Sequence, residues 1–189
     1  MPKSDPPDLD WTIVRQHPVK DYHIFRIGQH DAAHPLTGEI RTFSVIAMPD
    51  WVNVVAITPG DEIVLVRQYR HGSARQTLEI PGGLIEKDES VERAARRELR
   101  EETGYEAEDW HEIGVVEPNP ALQTNRCYTM LARGARQVAD LDPDPGEVIA
   151  VEHRPLADIH TMVKSGEIIH AMVVAAFYHL HGYLQGFGG

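Results

Sequence analysis

The sequence predicts a mixed α and β fold, on three observations. Apolar runs of strand length recur through the first two thirds of the chain and are broken by Pro and Gly pairs. A highly charged segment between Asp88 and Gly104 carries its few apolar residues at helical spacing. Two further helix-length stretches, separated by Gly166, close the chain.

In chain order, residues 22–27 alternate enough to be a strand, residues 34–39 read as a turn, and residues 40–48 as a second strand. Residues 52–58 and 62–69 flank Pro59-Gly60-Asp61, a hairpin signature, and Pro81-Gly82-Gly83 ends the next strand. Asp88 is the expected N-cap of the charged helix. Glu89 and Glu92 place negative charge in its first turn, where the helix dipole favours it, and Gly104 suits its C-terminal cap. Strands at 110–117 and 126–133 bracket a loop rich in Pro and Asn; a strand at 147–153 and helices at 157–165 and 170–184 follow. Residues 140–146 form an acidic loop, and no internal repeat is present.

A chain of 189 residues is long enough for one domain with a full core, or a domain plus a small appendage. Its net charge of −11 and pI near 5.4 argue against nucleic acid as a partner, because phosphate backbones need a basic face. A small polyphosphate accompanied by a divalent cation escapes that objection. The single cysteine, Cys127, excludes an internal disulfide and reads as a buried strand residue. The N-terminal MPKSDPPDLDW has no apolar core of a signal peptide, and the apolar stretch 171–178 is too short to span a bilayer, so a cytoplasmic protein without membrane contact is expected. The histidines lack HExxH spacing, which argues against a zinc site.

The charged helix carries the chemistry. At about 100° per residue, Ala94, Ala95, Glu98 and Glu102 fall within roughly 60° of Val91, while Arg93, Arg96, Arg97 and Arg100 occupy the opposite side. Pairs such as Glu89 with Arg93, Glu92 with Arg96 and Arg97 with Glu101 are what a solvated face would contain. Glu98 and Glu102 do not belong to that face. They are like charges one turn apart on the apolar stripe, an arrangement that costs stability through repulsion and desolvation unless a cation reverses the sign. With Glu101 beside them, hard carboxylate oxygens converge along one edge, which suits Mg²⁺ or Mn²⁺.

The spacing Gly83, Glu89, Arg97-Glu98-Leu99, Glu101-Glu102, Gly104-Tyr105 resembles the Nudix box in full, with Tyr105 standing where the family most often has an aliphatic residue. Upstream, residues 51–55, the segment VRQYRHG (66–72) and LEIPGG (78–83) are similar to the branch that hydrolyses ADP-ribose and nucleoside diphosphate sugars. The resemblance implies an α/β/α sandwich around a mixed sheet, an α+β Nudix fold. It also implies an N-terminal antiparallel strand region at residues 1–45, serving dimerisation, ahead of a catalytic domain at 46–189.

The same resemblance implies site roles. Glu98, Glu101, Glu102 and the carbonyl of Gly82 are the expected metal ligands, with Glu147 as a further metal contact and candidate base, and Arg97 as the residue that orients a box carboxylate. Where some relatives carry the basic acid, two residues before Glu147, this chain has Pro145, so Glu147, Asp144 or a water activated by metal alone all stand as the base. For substrate, Arg67 and Arg70 suit phosphate oxygens, Glu79 suits a base or ribose, Trp51 or Tyr22 suits stacking on a nucleobase, and Asn125 with Asn119 borders an overhanging loop. The reaction implied is Mg²⁺-dependent cleavage of ADP-ribose or a related nucleoside diphosphate sugar by a homodimer. A nucleoside triphosphate, dinucleoside polyphosphate or coenzyme A substrate, or a nucleotide-sensing domain without catalysis, are the alternatives.

Overall fold

The computed structural model describes residues 8–143 and 145–186, and the chain divides into two compact units. One comprises Met1–Met48 with Asn119–Asn125; the other comprises Pro49–Pro118 with Arg126–Gly189.

The first unit is an antiparallel sheet of β1 (Thr12–Gln16), β2 (Lys20–Asp21), β3 (Arg26–Ala33) and β4 (Ile40–Ala47). β4 pairs along the whole of β3, whereas β1 meets only its C-terminal half and β2 only Arg26 and Ile27. The strand expected at 22–27 is a turn for most of its length. The Tyr22 N–H donates to the Phe25 carbonyl at 2.9 Å, His23 adopts a left-handed φ of 68°, and the Tyr22 and Phe25 rings stack 5.2 Å apart. A strand would send residues three apart to opposite faces; the turn instead brings Tyr22 and Phe25 to the same side. β1 lies where no strand is expected.

The second unit is built on a mixed sheet of order β10-β11-β5-β6-β13, from β5 (Trp51–Ile57), β6 (Glu62–Arg70), β10 (Asp109–Val116), β11 (Cys127–Arg133) and β13 (Ile149–Pro155). The β11 to β5 pairing is parallel and the others are antiparallel. β5 and β6 pair only at Ile57 and Ile63, next to their connecting turn, and then separate. Into that divergence run β7 (Arg75–Glu79), paired with β6, and β8 (Gly82–Leu84), paired with β5. Pro81, whose carbonyl accepts the Val54 N–H at 2.8 Å, thus brings the glycine pair to the centre of the sheet. A two-stranded ladder of β9 (Tyr105–Glu106) and β12 (Arg136–Gln137) was not expected.

Helices cover both faces of this sheet. α1 (Val91–Thr103) packs Ala94, Ala95 and Leu99 onto Val52, Val54 and Val64. α2 (Ile159–Ser165), which follows a short 3-10 turn, and α3 (Ala171–Leu184) cover the other face through Met162, Val173, Ala176, Phe177 and Leu180 against Ile63, Leu65 and Leu78. The alternation of strand side chains sends Val64 and Val66 to one layer and Ile63 and Leu65 to the other, which confirms the α+β sandwich. The N-cap of α1 is Ser90 and not Asp88: the Ser90 hydroxyl accepts the Arg93 N–H, while Asp88 sits in the preceding turn at φ 65°. Gly104 caps the C-terminus at φ 73°, as expected. No helix among the described residues is long and apolar enough to cross a membrane.

Candidate active site

Glu102 is 2% exposed, on the stripe of α1 that faces the sheet. Its Oε2 accepts the Gly82 N–H at 2.9 Å, the single hydrogen bond to this carboxylate among the described residues. Burial, together with the charges of Glu98 and Glu147, pushes its pKa up to about 8 against the opposing Gly82 bond. Glu98, one turn earlier, is also raised, by burial first, with Arg97 opposing and Glu101 and Glu147 reinforcing the shift. A Cβ at Gly83 would stand 2.4 Å from Glu98 Oε1, so only glycine allows strand β8 to approach the helix this closely. Glu147 lies just before β13 and is exposed; its charge bears on both Glu98 and Glu102.

Arg97 departs from the solvated arginine face expected for it. Its Nη1 donates to Glu98 at 2.8 Å and to Glu101 at 3.1 Å, its Nε and Nη2 donate to Glu89 at 3.2 and 3.0 Å, and Nη2 also reaches the Leu84 carbonyl at 2.9 Å. Three carboxylates and the strand β8 are thereby held by one guanidinium. Glu89 pairs with Arg97 and not with Arg93: it lies before the Ser90 N-cap, in a turn where its N–H donates to the Glu86 carbonyl, so the helical four-residue spacing does not hold there, and Arg97 holds its carboxyl below the usual range. The expected pairs Glu92 with Arg96 and Arg97 with Glu101 are present.

The residues expected to meet substrate are distributed differently. Arg67 and Arg70, three apart on β6, point to opposite faces. Arg67 binds Glu152 at 2.5 Å, in a network that Arg154 joins at 2.6 Å, so it does not belong to the glutamate cluster. Arg70 does: its charge stabilises ionised Glu102. Glu79 is 2% exposed and bonded by Arg70 at 2.9 and 2.8 Å and by the Thr77 hydroxyl at 2.6 Å, so it holds these two side chains and presents almost no surface to a ribose. Trp51 is half-buried at the start of β5. Tyr22 and Asn125 belong to the first unit, where Tyr22 is exposed and Asn125 is buried with neither amide atom bonded to a described residue. Asp144 lies outside the described residues.

Thr77, Glu79 and Arg70 form a polar cluster that sequence reasoning missed. The signal was available: Thr77 and Glu79 alternate around apolar Leu78, and a strand that buries its polar face needs a partner on the next strand, here Arg70 across the β6–β7 pairing. Tyr105, in place of the aliphatic residue most often found there, brings a hydroxyl to the end of α1. Its hydroxyl lies 2.7 Å from His153 Nε2, tying the end of α1 to β13.

Among the described residues, no three acidic, histidine or cysteine side chains are gathered tightly enough to grip one ion as they stand. The donor chemistry nonetheless fits a hard divalent cation. Glu98, Glu102 and Glu147 form an anionic cluster whose buried member, Glu102, has no cationic side chain bonded to it.

The NUDIX domain model matches residues 49–177. The chain is 30% identical to an ADP-ribose pyrophosphatase of Mycobacterium tuberculosis over 94% of its own length and 86% of the relative's. It is 32% identical to an ADP-ribose pyrophosphatase of Bacillus subtilis over 76% of this chain and 78% of that one. A crystal structure of an ADP compounds hydrolase superposes with a TM-score of 0.83 at 26% identity, covering 94% of this chain and 96% of the other. The intact box on α1, the sandwich that holds it and these likenesses agree, and the chain belongs to the Nudix family of hydrolases.

Proposed function

We propose that this Nudix pyrophosphatase splits the diphosphate bond of ADP-ribose or a related nucleoside diphosphate sugar, giving a nucleoside monophosphate and a sugar phosphate. One observation carries the reading: Glu98 and Glu102 are set on the buried stripe of α1 against Gly82 and Gly83, a concentration of carboxylate that the fold itself does not require. The likeness to two ADP-ribose pyrophosphatases narrows the substrate class.

Glu98, Glu101, Glu102, Glu147 and the Gly82 carbonyl would hold Mg²⁺, or Mn²⁺ in its place. When bound, such a cation neutralises phosphate oxygens and lowers the pKa of a coordinated water. The protein's own contributions are distinct from this. Arg97 fixes the rotamers of Glu98 and Glu101 by bonding both from one nitrogen. Arg70 presents its Nη1, which has no protein partner among the described residues, to a phosphate oxygen. In this reading Glu147, exposed just before β13, takes the proton of the attacking water, with Asp144 or a water activated by the cation alone as the alternatives.

The reaction run in ¹⁸O-labelled water tests this. Label on a phosphate of either product supports it; a nucleoside diphosphate with free, labelled sugar would overturn it. Assay of nucleoside triphosphates, dinucleoside polyphosphates and coenzyme A beside the diphosphate sugars separates the alternatives within the family.

The N-terminal sheet serves, in the same reading, to form a homodimer. Ile13, Val14, Val19, Ile24, Ile40 and Phe43 are all exposed on this small unit, more apolar surface than such a sheet leaves open without a partner. A monomer of full activity at micromolar concentration in sedimentation would end that proposal.

A further inference from the structure

We propose that His170 is a positioning residue for the substrate phosphate, acting through Glu79 on Arg70. The proposal rests on Arg70 as a phosphate contact.

Glu79 is an almost fully buried carboxylate whose two oxygens are unequally served. Oε1 accepts from both Arg70 Nε and the Thr77 hydroxyl, whereas Oε2 accepts from Arg70 Nη2 alone. A carboxylate oxygen has room for two donors. Beside Oε2, at 3.9 Å, stands His170 Nδ1, a buried nitrogen without a hydrogen bond among the described residues. That distance is too long for a hydrogen bond, and closing it is the movement assigned to His170. His170 occupies the N-cap position of α3 and its side chain makes no capping bond there. Its imidazole is thus directed at Glu79 and not at the helix it precedes.

The physical consequence concerns what happens when a phosphate arrives. Arg70 is held by Glu79 along one edge, with Nη1 left for a ligand. Pulling the guanidinium toward a phosphate weakens its bonds to Glu79, and a buried carboxylate deprived of donors is costly. His170 Nδ1–H supplies the missing bond to Oε2. Thr77 keeps Oε1 satisfied throughout. The three residues therefore let Arg70 engage an anion without leaving Glu79 uncompensated, and this appears in substrate affinity more than in the chemical step.

Steady-state kinetics on ADP-ribose with Mg²⁺ test this in His170→Leu, His170→Asn, Arg70→Ala and the double variant Arg70→Ala with His170→Leu. His170→Leu should raise KM by at least about tenfold, the lower end of what one bond to a charged group is worth, with a smaller change in kcat. His170→Asn, which keeps a donor near the Nδ1 position, should restore most of the affinity. In the Arg70→Ala background, His170→Leu should add nothing. If H170N is no better than H170L, or if H170L multiplies KM equally with and without Arg70, His170 does not act through this path. An unchanged KM in R70A would instead strike down the reading of Arg70 itself. Should H170L fail to fold, His170→Ala carries the same comparison.

Discussion

Glu79 and Glu102 are equally buried, each 2% exposed, and respond in opposite ways. Burial raises the pKa of both, yet Glu79 ends below the usual carboxylate range because a bidentate guanidinium and a hydroxyl outweigh that penalty. Glu102 receives one backbone N–H and faces Glu98 and Glu147, and its pKa rises to about 8. The contrast teaches that burial does not identify a functional carboxylate; its complement of donors does. Glu79 is a satisfied anion that orients a neighbour. Glu102 is a carboxyl whose ionised form the protein does not balance, so that burial favours its protonated form until a cation arrives, the property expected of a group that meets one.

The largest effect that tests this contrast is on turnover. Glu102→Gln should lower kcat by at least about a thousandfold at saturating Mg²⁺, with circular dichroism unchanged. Near-normal activity would remove Glu102 from the site.

The second test is pH. Glu102 has a folded pKa raised above its unfolded value, so its contribution to stability is intact at low pH and is lost as pH rises from about 5 through 8. Without metal, the wild type should lose on the order of 4 kcal/mol relative to Glu102→Gln by pH 8, read from denaturant unfolding. Mg²⁺ should oppose this loss. Glu79 predicts the reverse window: its folded pKa is lowered, so its contribution is present above about 4.5 and lost as pH falls below that value. An unchanged stability difference across both windows would erase the distinction between the two glutamates.

Third, Glu79→Gln should destabilise the protein by about 2 kcal/mol, less than a fully buried pair would cost because Arg70 is partly exposed. KM should rise in the same variant, since Arg70 loses its anchor. The smallest effect is expected at Tyr105→Phe, which removes the hydrogen bond to His153 and should cost about 1 kcal/mol. A kcat reduced beyond the effect of that destabilisation would mean that the Tyr105 to His153 link also sets the spacing between α1 and the strand preceded by Glu147.

Much of the molecule was legible because its determinants are local. The strands β4, β5, β6, β10 and β11 and all three helices follow from alternation, periodicity and the glycines that end them. The inward placement of Glu98 and Glu102 follows from helical angle alone. The N-cap shifted from Asp88 to Ser90 because neighbouring residues of similar capping ability differ only in backbone geometry. The turn at residues 22–25 departs from the expected strand because it depends on a left-handed His23 and on a stack between residues three apart, neither of which an alternating pattern contains.

The sequence by itself determined the box, its spacing, the face on which its glutamates lie and the family to which the chain belongs, since all of these are set by residues a few positions apart. Only the tertiary structure decided which carboxylates are neutralised and by what. Beyond the pair with Glu101 that helical spacing already contains, Arg97 turns to Glu89 and Glu98, Arg67 is taken by Glu152, and Arg70 is captured by Glu79 with His170 beside it. Most of those choices are made between groups brought together across strands and turns, and an arginine's long side chain reaches any of several acids. Burial and donor geometry, which a linear pattern does not contain, select among them.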